Sequence, residues 1–195
     1  LPGDAARLRY HLDPVTGAAM IHDPVANTIT AAAKVRHPSF YLLAATDQAR
    51  RVAGWGRALA TCCASGRISR VQVLERTMPD TGQGVRQYWA QHGQRDGGWA
   101  ATQYETLIAG AAPTSERHET TISITVDLSR TRRAVRAHGG GITGAAAVLR
   151  QEMATLGAAL HTAELIVDGW VEPDDLAGIL RLAYDPDAVH QLERA

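Results

Sequence analysis

Lysine is almost missing from this chain: Lys34 is its one lysine, and the rest of its 20 basic residues are arginine. Beside the abundance of alanine and glycine, that bias reads first as genome composition. Cysteine is nearly missing too. Cys62 and Cys63 are adjacent on a predicted helix, where neighbouring side chains diverge and a bridge between them is strained. A disulfide framework is excluded, and reduced thiols are expected. There is no C-x-x-C pair, and none of the eight histidines (11, 22, 37, 92, 118, 138, 161, 190) stands four residues from another. The common zinc spacings are therefore missing, and no metal is expected. No apolar run reaches the ~18 residues that a membrane-spanning helix needs. Twenty acidic residues balance the twenty basic ones, so no net field draws in nucleic acid or anionic lipid. A G-x-x-x-x-G-K-[ST] phosphate loop is absent, and so is a G-x-S-x-G nucleophile elbow. Without that elbow, the esterase-like run His138-Gly139-Gly140-Gly141 has no nucleophile to serve.

What remains is a pattern of helices and strands. Residues 1–14 read as an irregular lead-in. Ala18–Ile21 and Thr28–Val35 read as strands joined by a turn through His22, Asp23, Pro24 and Asn27. Ile29, Ala31, Ala33 and Val35 alternate with polar or small residues, and His37-Pro38 ends the second strand. From Asp47 a helix carries Val52, Trp55, Leu59 and Cys62 as an apolar stripe, with Arg50, Arg51 and Arg57 on its wetter side. Ser65-Gly66 stops it, and a strand follows over Ile68–Thr77. Residues 82–89 suggest a short helix. Trp99, Tyr104, Leu107, Ile108 and Ala111 suggest another, closed by Pro113.

The second half opens with the clearest strand, in which Ile122, Ile124, Val126 and Leu128 alternate with polar residues. A basic helical segment follows, then the glycines 139–141, then the longest helix. Ile142, Ala146, Leu149, Met153, Leu156 and Leu160 form its apolar seam, and Arg150 falls on the opposite face. Glu164–Val167 reads as a strand, and Pro173 opens a last helix with Asp174 and Asp175 in its first turn. The expected fold class is α+β, a mostly antiparallel sheet with helices on one side. The 195 residues form one domain, with two ferredoxin-like halves at 15–112 and 116–187.

Four motifs occur in order at matching distances: Asp23-Pro24…Thr28-x-Thr30-Ala31, the Gln48-to-Ala60 run QARRVAGWGRALA, Glu75-Arg76-Thr77-x-Pro79-Asp80, and Leu180-to-Pro186 (LRLAYDP). Together they resemble an actinobacterial family of membrane proteins, the EccE-like type VII secretion proteins. That family is found beside PrgI-like small membrane proteins, VirB-type ATPases and polytopic channel proteins of conjugation-type systems. The likeness runs over residues 18–187. It implies an excised piece of a longer membrane protein, lying at the cytoplasmic face of the cell membrane and anchored by a missing upstream segment. It implies a non-catalytic docking or scaffold domain of a conjugation or secretion apparatus. The implied partners are the ATPase, the channel components and other copies of itself, with no direct contact to nucleic acid. No catalytic residue and no cofactor transfer from it.

Three features can carry chemistry or contact. The arginines Arg50, Arg51 and Arg57 of the first long helix, and Arg130, Arg132, Arg133 and Arg136 of the second half, are the candidate partner-binding residues. Glu75 falls inward by alternation with Val71 and Val73, which predicts a structural ion pair with an arginine. The run Gly139–Gly144 matches G-x-G-x-x-G and offers the alternative of an enzyme binding a small molecule or nucleotide. That motif works only when a strand feeds it, and the ten residues before it read as helix.

Overall fold

A computed structural model describes residues 3–36, 40, 42–80, 82–93, 97–111 and 116–188. The chain divides into two compact units, Leu1–Leu74 with Thr120–Leu176, and Glu75–Glu119 with Ala177–Ala195. The expected boundary near residue 113 is not the one found. The expected stops at His37-Pro38 and Pro113 lie outside the described residues.

The first unit is built on β3 (Thr28–Arg36). One edge of β3 runs antiparallel along β5 (Glu116–Asp127), from Thr28 opposite Asp127 to Val35 opposite Thr120. Its other edge is shared. β2 (Ala19–Asp23) pairs with its first residues, and β6 (Ile166–Trp170) pairs with its last, with a bulge between Lys34 and Val35. Where the two meet, Val171 N–H donates to the Ala32 carbonyl and Ala19 N–H to the Val171 carbonyl, both at 2.8 Å. β1 (Arg9–Leu12) extends the sheet beyond β2, and β4 (Ile68–Pro79) lies beyond β5. The α+β class and antiparallel sheet expected from the sequence are thus present.

The halves, however, do not make separate sheets. α1 (Ala45–Ala64) follows β3, and α5 (Gly141–Thr162) follows β5. The order β6-β3-β5-β4 therefore interleaves a strand–helix–strand half from each end of the chain into one split β-α-β arrangement. Alternation decides which face is buried: Ile29, Ala31, Ala33 and Val35 join Ile122, Ile124 and Val126 in a single core.

α5 covers that core with Ala146, Leu149, Met153, Leu156 and Leu160 of the expected seam, joined by Ala145 and Val148, while Ile142 at the seam's start is only partly buried. α1 behaves differently. Its buried residues are Gly54, Ala58 and Cys62, while Val52 is 60% exposed and Leu59 is exposed as well. The apolar stripe drawn through Val52 and Leu59 is displaced toward the small residues, because only these let α1 approach α5 closely. Arg150 also departs from expectation. It donates through Nη1 to Asp13, a carboxylate with no exposed surface, which also accepts from Thr16 N–H (3.0 Å) and Thr16 Oγ1 (2.6 Å). Burial alone would raise the Asp13 pKa; the Thr16 and Arg150 hydrogen bonds outweigh it and hold the group below its ordinary range.

The second unit contains the outer ends of β4 and β5, α2 (Gln83–His92), α3 (Trp99–Ala111) and most of α6 (Pro173–Tyr184). Trp89 joins α2 to α3: its ring centroid lies 4.6 Å from that of Tyr104, and its indole N–H donates to Glu105 at 3.3 Å. Buried apolar side chains are few here, namely Met78, Ile108 and Ala188 among the described residues.

Candidate functional site

Two of the three candidate arginines of α1 are ion-paired within the chain. Arg50 donates to Asp47 at 2.6 Å and to Glu164 Oε1 at 3.2 Å, and Arg51 donates to Glu164 Oε2 at 3.3 Å. Glu164 sits where α5 ends, at a φ of +61° that side chains other than glycine rarely adopt. Its N–H donates to the His161 carbonyl and the Leu165 N–H to the Leu160 carbonyl, both at 3.0 Å, which closes the helix. The left-handed turn aims one carboxylate at two arginines of α1. First the Glu164 hydrogen bond and then Asp47 raise the Arg50 pKa further. Arg57 is exposed and forms no ion pair among the described residues.

The second group is arranged for contact. α4 (Arg132–Ala137) is a single short helix, preceded by a turn that Asp127 fastens by accepting from Ser129 N–H at 2.8 Å and Arg130 N–H at 3.3 Å. The Ser129 hydroxyl first, and then these backbone hydrogen bonds, hold the Asp127 carboxyl below its usual range. Arg130, Arg132, Arg133 and Arg136 are all exposed, and none reaches a carboxylate at ion-pair distance among the described residues. A groove flanks α4 on each side. One, of about 490 Å³, takes Arg130 and Arg133 with Arg67 and His138. The other, of about 430 Å³, takes Arg132 and Arg136 with His22 and Gly140. The four candidate arginines thus divide two and two.

The glycine run lies between two helices. β5 ends at Asp127, and α4 occupies Arg132–Ala137 immediately before Gly139. Gly139, Gly140 and Gly141 all have positive φ (93°, 73° and 57°), the conformation a tight helix–helix corner requires. Gly144 explains the fourth glycine: a Cβ there would stand 2.3 Å from the Val135 carbonyl oxygen. No strand feeds the literal G-x-G-x-x-G match, which follows α4 directly.

Glu75 requires a correction. It is not inward: its side chain is 58% exposed, and its ion-pair partner is the equally exposed His118 at 3.5 Å, not an arginine. The half-buried neighbour is Arg76, 16% exposed, which donates to Glu119 at 2.8 Å and to the Ile179 carbonyl at 3.5 Å. Inward facing passes from Val71 to Arg76 and Met78 along β4, so strict alternation from Val71 fails midway.

Cys62 is buried and Cys63 is exposed, both as free thiols. Burial, then Cys63 and Glu152, push the Cys62 thiol up, away from the reactive thiolate.

The sequence reading missed a surface in the second unit. Trp99 is 79% exposed, and Tyr88, Leu107, Val85 and Tyr104 are exposed with it on α2 and α3. The signal was present in the spacing. Trp99 stands five residues before Tyr104, off the three-and-four step of a buried stripe, and of Trp99, Tyr104, Leu107 and Ile108 only Ile108 is buried.

No helix of the described residues is long and apolar enough to cross a membrane. Among those residues no group of three or more metal-ligating side chains gathers. No protein-family model matches the chain, and comparison with curated proteins and with solved structures finds no match.

Proposed function

We propose that this chain is a non-catalytic docking domain of an actinobacterial conjugation or secretion apparatus, working at the cytoplasmic face of the cell membrane. The observation that carries the docking reading is the set of large side chains exposed on α2 and α3: Val85, Tyr88, Trp99, Tyr104 and Leu107. Tyr104 and Tyr88 have ring contacts within the unit, to Trp89 and His92, but Trp99 is left 79% exposed, and aromatic residues are enriched at the centres of protein interfaces. The resemblance to EccE-like proteins supplies the class of partner, namely the apparatus ATPase, its channel components or another copy of this chain. The enzyme alternative at Gly139–Gly144 loses its support in the helix that precedes those glycines.

The test is made in the native host. Trp99→Ser with Leu107→Ser changes two exposed side chains, so the melting temperature stays within a few degrees, while secretion or DNA transfer is lost. Full transfer by a stably folded double variant contradicts the proposal.

A further inference from the structure

The groove between α4 and α5 is independent of the surface just described and belongs to the first unit throughout. Its positive charge is held in place from beneath. Arg67 donates through Nη1 to Gln151 Oε1 at 3.0 Å and to Glu152 Oε1 at 3.3 Å, and the Glu152 carboxylate is almost wholly buried. Both contacts use one end of the guanidinium, so its Nε and Nη2 edge makes no hydrogen bond among the described residues. That edge is the planar fork that matches two oxygens of a phosphate. Because Gln151 must turn its oxygen to Arg67, its amide nitrogen faces His138 Nε2 at 3.2 Å. The amide is a donor there, which leaves the proton of a neutral His138 ring on Nδ1.

Arg130 and Arg133 line the same groove without a carboxylate at ion-pair distance, and Ala134 and Ala137 line it beside them. Three arginines lining one groove carry more charge than the single Glu152 carboxylate balances, which suits a phosphate ester. A volume near 490 Å³ fits a small ligand, with the alanines leaving room for its organic part. An extended polyanion is less suited, because the chain has no net charge to attract one.

We propose that this groove binds a small organic phosphate or diphosphate, with Arg67, Arg130 and Arg133 as its anion ligands and Glu152 and Gln151 as the groups that position Arg67.

Calorimetric titration of the full chain with inorganic pyrophosphate tests this. The expected result is saturable one-to-one binding that weakens by at least about tenfold in Arg130→Glu with Arg133→Glu. Arg132→Glu with Arg136→Glu, on the other flank of α4, keeps the wild-type affinity and controls for net charge. Should the first double variant fail to fold, phenylglyoxal modification of the wild-type chain answers instead, with pyrophosphate protecting Arg67, Arg130 and Arg133. Absence of saturation at about 10 mM pyrophosphate overturns the proposal. So does equal weakening by both double variants, or binding of a single-stranded oligonucleotide where pyrophosphate does not bind.

Discussion

Gly54 of α1 lies against Ala163 at the end of α5, so close that a Cβ on Gly54 would stand 3.1 Å from the Ala163 Cα. This contact explains why the buried face of α1 is made of Gly54, Ala58 and Cys62. Gly54→Leu forces the helices apart and is expected to cost about 1–3 kcal/mol in urea unfolding. Gly56, on the exposed side with nothing near its missing Cβ, gives the contrast. Gly56→Ala stabilises by about 0.5–1 kcal/mol, because alanine loses less entropy in a helix. A loss at Gly56 as large as at Gly54 would show that the close crossing is not the cause.

Leu149 and Leu156 sit in the core with almost no exposed surface. Each truncation to alanine removes buried methyl groups and leaves a cavity, at a cost of about 2–5 kcal/mol. Equal, small losses from both in urea melts would remove the α5 seam from the core.

Asp13 ties α5 to the turn between β1 and β2, and its folded pKa lies below the ordinary 3.8. A depressed carboxylate contributes stability above its unfolded pKa and loses it as pH falls through the folded value. Stability is therefore level from neutrality to about pH 4 and declines below it. Asp127 and Asp168, depressed by hydrogen bonds led by Ser129 and Arg36 respectively, act in the same direction. Asp13→Asn lowers stability at pH 7 and flattens the acid limb of the curve. An acid limb of unchanged slope would place the proton uptake elsewhere.

On β4 the expected effects exchange places between neighbours. Glu75→Gln changes stability by no more than about 0.5 kcal/mol, as exposed substitutions do. Arg76→Ala costs about 1–3 kcal/mol, since it leaves Glu119 without its 2.8 Å partner. The reverse order in thermal melts would restore the inward Glu75.

The parts of this fold that were legible in the sequence are those where large residues do the packing. Ile122, Ile124 and Val126 announce a strand, and Leu149, Met153, Leu156 and Leu160 announce a buried helix face, because burial and hydrophobicity coincide. α1 misled because its contact depends on the absence of side chains, and Gly54 and Ala58 carry no hydrophobic signal. β1 was hidden because Arg9, Tyr10, His11 and Leu12 form an edge strand with little buried surface. Arg150 read as a solvent residue because its partner, Asp13, is 137 positions away. The seven arginines were recognisable as charged faces. Which would be spent on Glu164 and Asp47, and which would line a groove, depended on where α5 ends and α4 turns.

Docking through α2 and α3 shows in the company the protein keeps. The full-length protein is purified from native-host membranes in mild detergent, as wild type and as Trp99→Ser with Leu107→Ser, and the co-purifying proteins are identified. The wild type should bring down the apparatus ATPase, a channel component or a second copy of itself, and the double variant should lose that partner at an unchanged melting temperature. Retention of the same partner by the double variant, or a wild type that brings down none of the three, would contradict the claim.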